Sequence, residues 1–315
     1  MDRSTETRNR IDNILKDAYK LLRQGSFNES KEFLNAALKI DFENEDIISA
    51  LKSVNFWNER KRRLEGIQGA LEKGHYLFDQ WGAFFDYLQS CDEDCEKVLY
   101  PVKKWVFSTA LTLFQTVLDK TGMHDPDLLC NLGRAYKGIG DYEHAVEYIE
   151  SANHQRMGDA EIMAELADSY ACINEVRAAK IFFREAFYTD PQSIKLRFFE
   201  SMLIGRLVNE VKNMGYSNDL LKEWVPIYGN IYGVFNVRRE LKPLELGKLK
   251  QAIFDCEQRI ETNEEEKLLL EPRLLNKYFW LIDHLIATKS ERAKIDEILE
   301  KVKGLNSEIY EKYIN

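Results

Sequence analysis

The sequence predicts an all-α fold, a solenoid of stacked helix pairs. Small residues recur with one spacing, 12 and then 7 residues apart, in two segments offset by 34 residues: Gly133, Ala145 and Ala152, then Ala167, Ala179 and Ala186. Small side chains at such positions let two helices cross closely. Only 6 prolines and 16 glycines interrupt the 315 residues, and apolar residues recur at helical spacing. A repeat of this length is typical of a helical solenoid.

The two segments also share a sequence core at the same phase. Residues 132–136 read Leu-Gly-Arg-Ala-Tyr and residues 166–170 read Leu-Ala-Asp-Ser-Tyr. We expect turns between paired helices at residues 137–140 and 173–174, where glycine or asparagine occurs. Pro191 follows the second segment and ends its last helix, because proline has no N–H to donate. Both cores resemble the first helix of a tetratricopeptide repeat.

A third segment near the N-terminus follows the same plan. Ala18, Ser30 and Ala37 repeat the spacing of 12 and 7 residues, and Gly25 precedes the second helix of the pair. Phe42 stands where the tetratricopeptide family usually has proline. The resemblance implies a tetratricopeptide-type solenoid, and the remaining residues predict a divergent middle and a C-terminal helical cap.

The predicted organisation has two parts. Residues 10–224 form the solenoid and residues 225–315 a C-terminal helical region. The clearest repeats are 10–43, 126–158 and 160–191, with divergent, aromatic-rich helical pairs over 45–120. One proline and two glycines within residues 224–235 break the repeat pattern. Beyond them, helices are expected near residues 244–260, 273–287 and 290–302, with Pro272 at a helix entry. Such a tail can cap an exposed end of a solenoid.

The composition indicates the cellular compartment of the protein and the class of its partners. The formal net charge is −9, which disfavours nucleic acid as a partner. The polar N-terminus lacks the apolar core of a secretory signal, and the apolar run at residues 105–118 is too short to span a bilayer. Five cysteines without a framework spacing fit a reducing compartment, so we expect a cytoplasmic protein with no membrane contact.

The sequence favours a non-enzymatic protein without cofactor or metal. It contains no nucleophile elbow, phosphate-binding loop, dinucleotide motif or paired zinc histidines. Cys91 and Cys95 have no second ligand pair at zinc spacing. Asp283 and His284 are neighbours in a helix and point in different directions, so we expect a structural role for His284.

The resemblance implies that first helices line a concave groove that receives a peptide or a partner helix. Carried over residue by residue, the exposed groove positions with charge are Asp127, Arg134, Lys137, Glu161 and Asp168. The acids on the second helix pair would repel a terminal carboxylate, so a basic or amphipathic partner is favoured. In the other interpretation, these charges only keep the protein soluble.

A short basic patch is the local exception to the acidic composition. Arg60, Lys61, Arg62 and Arg63 follow one another before Gly66. They can contact phosphate or an acidic protein surface, or they can simply form a solvated helix end.

Three functions remain open at this point. The leading hypothesis is a protein-binding or peptide-binding scaffold that uses the groove. The alternatives are a cytoplasmic chaperone for a client protein and a regulator that touches nucleic acid. Self-association is compatible with each, since an open groove or a poorly capped end can dock a second copy.

Overall fold

The computed structural model describes residues 3–91, 96–263 and 266–315, and for residues 3–7, 89–91 and 96 it describes the backbone only. Within these ranges the chain forms 15 α-helices and no β-strand, and most helices adjacent in sequence pack against each other. The predicted all-α class with paired helices is therefore confirmed. No helix in the described ranges is both long and apolar enough to cross a membrane.

The chain divides into two compact units, Met1–Ala152 and Asn153–Asn315. The first unit contains seven helices, the last of which ends just beyond it: α1 (Arg3–Arg23), α2 (Phe27–Leu38), α3 (Glu45–Gly66), α4 (Ala70–Cys91), α5 (Glu96–Thr121), α6 (Pro126–Ile139) and α7 (Tyr142–Gln155). Here α1 packs on α2 and α5, and α5 packs on α4 and α6.

The helix crossings of the first unit lie where small residues predicted them. Ser30 is buried in α2, and its hydroxyl donates to the main-chain oxygen of Ala18 in α1 at 3.0 Å. In the next predicted repeat, a Cβ added at Gly133 would meet the Ile149 side chain and lie 3.1 Å from the Ala145 oxygen. Glycine thus brings α6 into direct contact with the α7 backbone.

Aromatic residues of the divergent middle form the core of the first unit. Trp57, Phe84, Phe107 and Phe114 are almost completely buried. Trp57 makes edge-to-face contacts with Phe84 and with Trp105, at centroid distances of 5.4 and 5.7 Å. These rings stabilise the packing of α3, α4 and α5. They do not line an open groove.

The second unit contains the predicted repeat 160–191 and continues to the end of the chain. Its helices are α8 (Ala160–Cys172), α9 (Val176–Thr189), α10 (Met202–Asn213), α11 (Asn218–Ile231), α12 (Pro243–Thr262), α13 (Lys267–Ala287), α14 (Arg292–Leu305) and α15 (Ser307–Ile314). The three helices expected in the tail correspond to α12, α13 and α14. The sequence did not indicate α15.

One prediction about the tail is wrong, and two of the residues that break the repeat pattern lie within a helix. Pro226 and Gly229 lie inside α11, and a Cβ at Gly229 would collide with the Phe235 ring. This glycine therefore serves a close approach and does not end the helix. The wrong prediction concerns Pro272, which is not a helix entry because α13 begins earlier, at Lys267.

One hydrophobic core runs through the second unit. It includes Phe183 and Phe187 of α9 together with Trp224 of α11, and Leu275 and Phe279 of α13. Residues on both sides of position 225 thus share this core, and the division between compact units falls at residues 152 and 153. The sequence places a separate C-terminal region from residue 225, where the repeat pattern is lost. That boundary stays a prediction.

Candidate functional site

The first helix of the repeat at α6 and α7 leaves only one of its predicted groove residues exposed. Asp127 lies exposed in the first turn of α6, after the N-cap Asp125. Arg134 and Lys137 are 4% and 1% exposed, so their predicted exposure is wrong. Helix α6 also packs closely on two neighbours. A Cβ at Gly133 would strike Ile149 of α7, and one at Gly138 would strike Phe107 of α5.

Buried Arg134 belongs to a polar contact chain within the first unit. Its Nη1 donates to Oδ1 of Asn131 at 3.2 Å, and the Asn131 amide lies 3.1 Å from Nε2 of His75 in α4. A buried guanidinium with hydrogen bonds avoids much of the cost of an unpaired charge. Arg134 therefore serves the packing of α6.

The first helix of the next pair, α8, is buried along most of its length. Glu161 is the partial exception. Its side chain is 25% exposed and its Oε1 lies 2.8 Å from Nζ of Lys195. Asp159 caps the helix, because its Oδ1 accepts hydrogen bonds from the main-chain N–H groups of Glu161 and Ile162. An acid in this first turn also interacts favourably with the helix dipole.

Asp168 is completely buried, so its predicted exposure in the groove is also wrong. Its two carboxylate oxygens accept the main-chain N–H groups of Glu200 at 2.8 Å and Ser201 at 2.9 Å. These donors immediately precede α10, which begins at Met202. Asp168 thus attaches the start of α10 to α8, a structural role.

The basic patch Arg60–Arg63 is largely engaged within α3 and its neighbours. Arg60 lies over the Phe56 ring at 3.3 Å, and its Nε donates to Gln80 of α4 at 2.9 Å. Lys61 donates to the main-chain oxygen of Gly25 at 3.0 Å. Arg63 pairs with Glu59, one turn earlier. Arg62 and Arg63 are the exposed members of the patch.

Asp283 and His284 take different partners, as the sequence predicted. Asp283 is nearly buried and pairs with Arg184 of α9 and, at 3.1 Å, with Nε of Arg238. His284 accepts the main-chain N–H of Leu241 through Nδ1 at 3.0 Å. The two side chains therefore form no catalytic dyad.

Sequence reasoning missed the partners of Asp283. They lie 45 and 99 residues away along the chain, and no local pattern connects them. The packing of α13 against α9 brings Arg184 to Asp283, and the segment between α11 and α12 brings Arg238. This charged cluster lies outside the helices that were predicted to form the groove.

Metal ligation finds no support among the described side chains. They contain no group of three or more His, Cys, Asp or Glu that could hold an ion. The candidate pair Cys91 and Cys95 lies outside the described side chains.

Comparison with known proteins agrees with the repeat geometry at α6 and α7. No curated protein matches the chain. The family model of the tetratricopeptide repeat matches residues 126–153, which cover α6 and most of α7. At these residues the chain carries a tetratricopeptide repeat.

Proposed function

We propose that this chain is a non-catalytic, cytoplasmic scaffold that docks a protein or peptide partner on its helical repeats. The tetratricopeptide match at residues 126–153 carries the proposal, because repeats of this family act in general as protein-interaction scaffolds. The paired packing of helices in both compact units supports it. Exposed side chains on such paired helices provide the contacts for a partner.

The acids at the start of the first helices are the proposed contact residues. Asp127 on α6 and Glu161 on α8 occupy equivalent positions, 34 residues apart, and both retain solvent exposure. The other three predicted groove residues have structural roles, because they are buried: Arg134, Lys137 and Asp168. Each acid by itself, like the net charge of −9, suits a partner with basic or amphipathic character.

The test compares partner capture by two double variants of the full chain. We expect Asp127→Lys with Glu161→Lys to lose a specific partner that the wild-type chain captures from cytosol. The matched control is Glu143→Lys with Glu147→Lys, which makes the same charge change on exposed positions of α7. Circular dichroism verifies that each variant folds. Equal capture by all three proteins would contradict the proposed contact residues.

The wild-type chain and the two double variants are also tested for nucleic acid binding through Arg60–Arg63. Binding of that kind would show a steep dependence on salt concentration. We expect no such binding, since Lys61 donates to Gly25 and Arg63 pairs with Glu59 within the first unit.

A further inference from the structure

The segment that joins α11 to α12 has the burial pattern of a bound peptide. We call residues 233–242 the strap. Phe235 and Leu241 are buried, Val237 and Arg239 are half-buried, and the residues between them are exposed. Alternation with a period of two is the pattern of an extended chain with one face covered. The covered face lies against α9 and α13.

Side chains of α9 and α13 bind the main chain of the strap. Lys180 donates to the Gly233 oxygen at 3.0 Å, and Arg184 donates to the Val237 oxygen. His284 accepts the Leu241 N–H at 3.0 Å. Contacts of this kind depend on the path of the bound segment and not on its side chains. Peptide-binding sites combine such contacts with pockets for alternate side chains.

The aromatic anchor of the strap occupies such a pocket. Phe235 is completely buried, and its ring centroid lies 5.8 Å from Phe187 and 6.4 Å from Phe183. Gly229 leaves the space that this ring fills, because a Cβ there would overlap it. The pocket therefore selects an aromatic side chain.

The charges of the strap and the groove are complementary. Arg238 Nε lies 3.1 Å from Asp283 Oδ1, and Arg239 Nε lies 2.6 Å from Glu185 Oε1. The strap thus presents basic residues three and four positions after its aromatic anchor, and the groove presents an acid to each. This pairing fixes both register and preferred ligand.

We propose that the groove lined by α9, α11 and α13 is a peptide-binding site for an aromatic residue with two basic residues three and four positions after it, and that the strap is its internal ligand. The inference rests on the proposed function, because it requires a protein partner that supplies the peptide. A tethered ligand acts at an effective concentration on the order of millimolar. The intact chain therefore binds an external peptide weakly until the strap is loosened.

The experiment uses a fluorescein-labelled decapeptide with the sequence of residues 233–242 as the probe and fluorescence anisotropy as the readout. The strap is weakened in the full chain by Arg238→Ala with Arg239→Ala. The control is Lys248→Ala with Lys250→Ala, at exposed positions of α12. We expect the strap variant to bind the probe about ten-fold more tightly than wild type or the control, since more of the groove is free.

Two further changes test the chemistry of the site. Alanine at the phenylalanine of the probe abolishes binding, and so does Glu185→Lys added to the strap variant. The proposal is overturned if the folded strap variant binds no more tightly than the control, or if the probe binds equally well without its aromatic ring.

A second measurement applies if the strap variant does not fold. Hydrogen exchange of the wild-type chain is then recorded with the unlabelled peptide at millimolar concentration. Displacement of the strap breaks the hydrogen bond from the Leu241 N–H to His284, so exchange of that amide becomes faster. Unchanged exchange overturns the proposal.

Failure of this site is distinguishable from failure of the proposed function. The Asp127→Lys, Glu161→Lys protein has an unaltered strap and groove, so its probe binding equals that of wild type. Partner capture that survives the acid substitutions but is lost with Glu185→Lys assigns docking to the groove. If a partner is captured but the probe does not bind, only the proposal of the groove is refuted, and the proposed function stands.

Discussion

The Asp168 carboxylate on α8 accepts the main-chain N–H of Ser201 at 2.9 Å, one residue before α10 begins. The second oxygen accepts the N–H of Glu200 at 2.8 Å. Because Asp168 is completely buried, both hydrogen bonds are shielded from water. One acid therefore orients the chain as it leaves the short turns that follow α9. That role explains why a residue in the groove register of the repeat is not available to a partner.

Removal of this carboxylate is expected to destabilise the second unit. Asp168→Ala leaves two N–H groups without their acceptor, so we predict a loss of about 2 to 4 kcal/mol in the free energy of unfolding. Urea unfolding followed by circular dichroism measures it. Glu161→Ala on the same helix removes only a partly exposed ion pair and is expected to cost less than about 1 kcal/mol. Equal losses for both variants would contradict the assigned role of Asp168.

Gly133 is expected to resist replacement despite the higher helix propensity of alanine. In Gly133→Ala the new methyl group meets Ile149 and the Ala145 backbone, so we predict a lower thermal midpoint and a cost of about 1 to 3 kcal/mol. Gly205 in α10 is the matched control, because no atom lies within 4 Å of a Cβ built there. Gly205→Ala is expected to stabilise the protein by up to about 1 kcal/mol. A stabilised Gly133→Ala variant would show that α6 and α7 do not cross closely at this point.

His144 makes the stability of the first unit depend on pH. Its Nδ1 lies 2.8 Å from Oδ2 of Asp141, and this hydrogen bond raises the pKa of His144 above its usual value. Since the folded-state pKa is the higher one, the stabilisation is complete below the unfolded-state pKa. It is lost as the pH rises through the folded-state pKa.

A titration of the histidine ring signals by NMR checks this expectation. We predict that Asp141→Asn lowers the pKa of His144, because the imidazolium loses its charged partner. The variant also loses its stability advantage at acidic pH over alkaline pH. Identical titration curves in the two proteins would exclude this interaction in solution.

The buried ion pair between Asp283 and Arg184 is expected to be sensitive to removal of one partner. Their side chains are 8% and 3% exposed. Asp283→Asn leaves a buried guanidinium without its counter-charge, and we predict a loss of about 3 to 5 kcal/mol in unfolding free energy. Asp296→Asn disrupts an exposed pair with Arg292 and serves as the comparison, with a loss below about 1 kcal/mol. Similar losses would indicate that solvent reaches Asp283.

Much of the fold was predictable because its determinants are local or periodic. The spacing of Ala18, Ser30 and Ala37 predicted a helix pair, and the Ser30 hydroxyl donates to Ala18 across that crossing. The tail helices followed from apolar periodicity. Pro272 misled the prediction of a helix entry, because α13 already begins at Lys267. Proline lowers helix propensity locally, and tertiary packing can outweigh that effect.

The candidate site was less predictable. Sequence reasoning assigned exposure from position in the repeat, and only Asp127 and partly exposed Glu161 agree. The strap and its groove carried no signal, because their partners are distant in sequence. Arg184 meets Val237 and Asp283 only after α9 and α13 have packed.

The sequence by itself determined the helix pairs and the small residues at which they cross, because helix periodicity and side-chain volume are properties of neighbouring residues. Tertiary structure alone decided which charges reach solvent. Asp168 is buried where it accepts the N–H groups of residues 200 and 201, and Arg134 is buried where it donates to Asn131. Phe235 is buried in a pocket from α9 and α11. Burial is a sum over contacts from distant segments, so no local pattern specifies it.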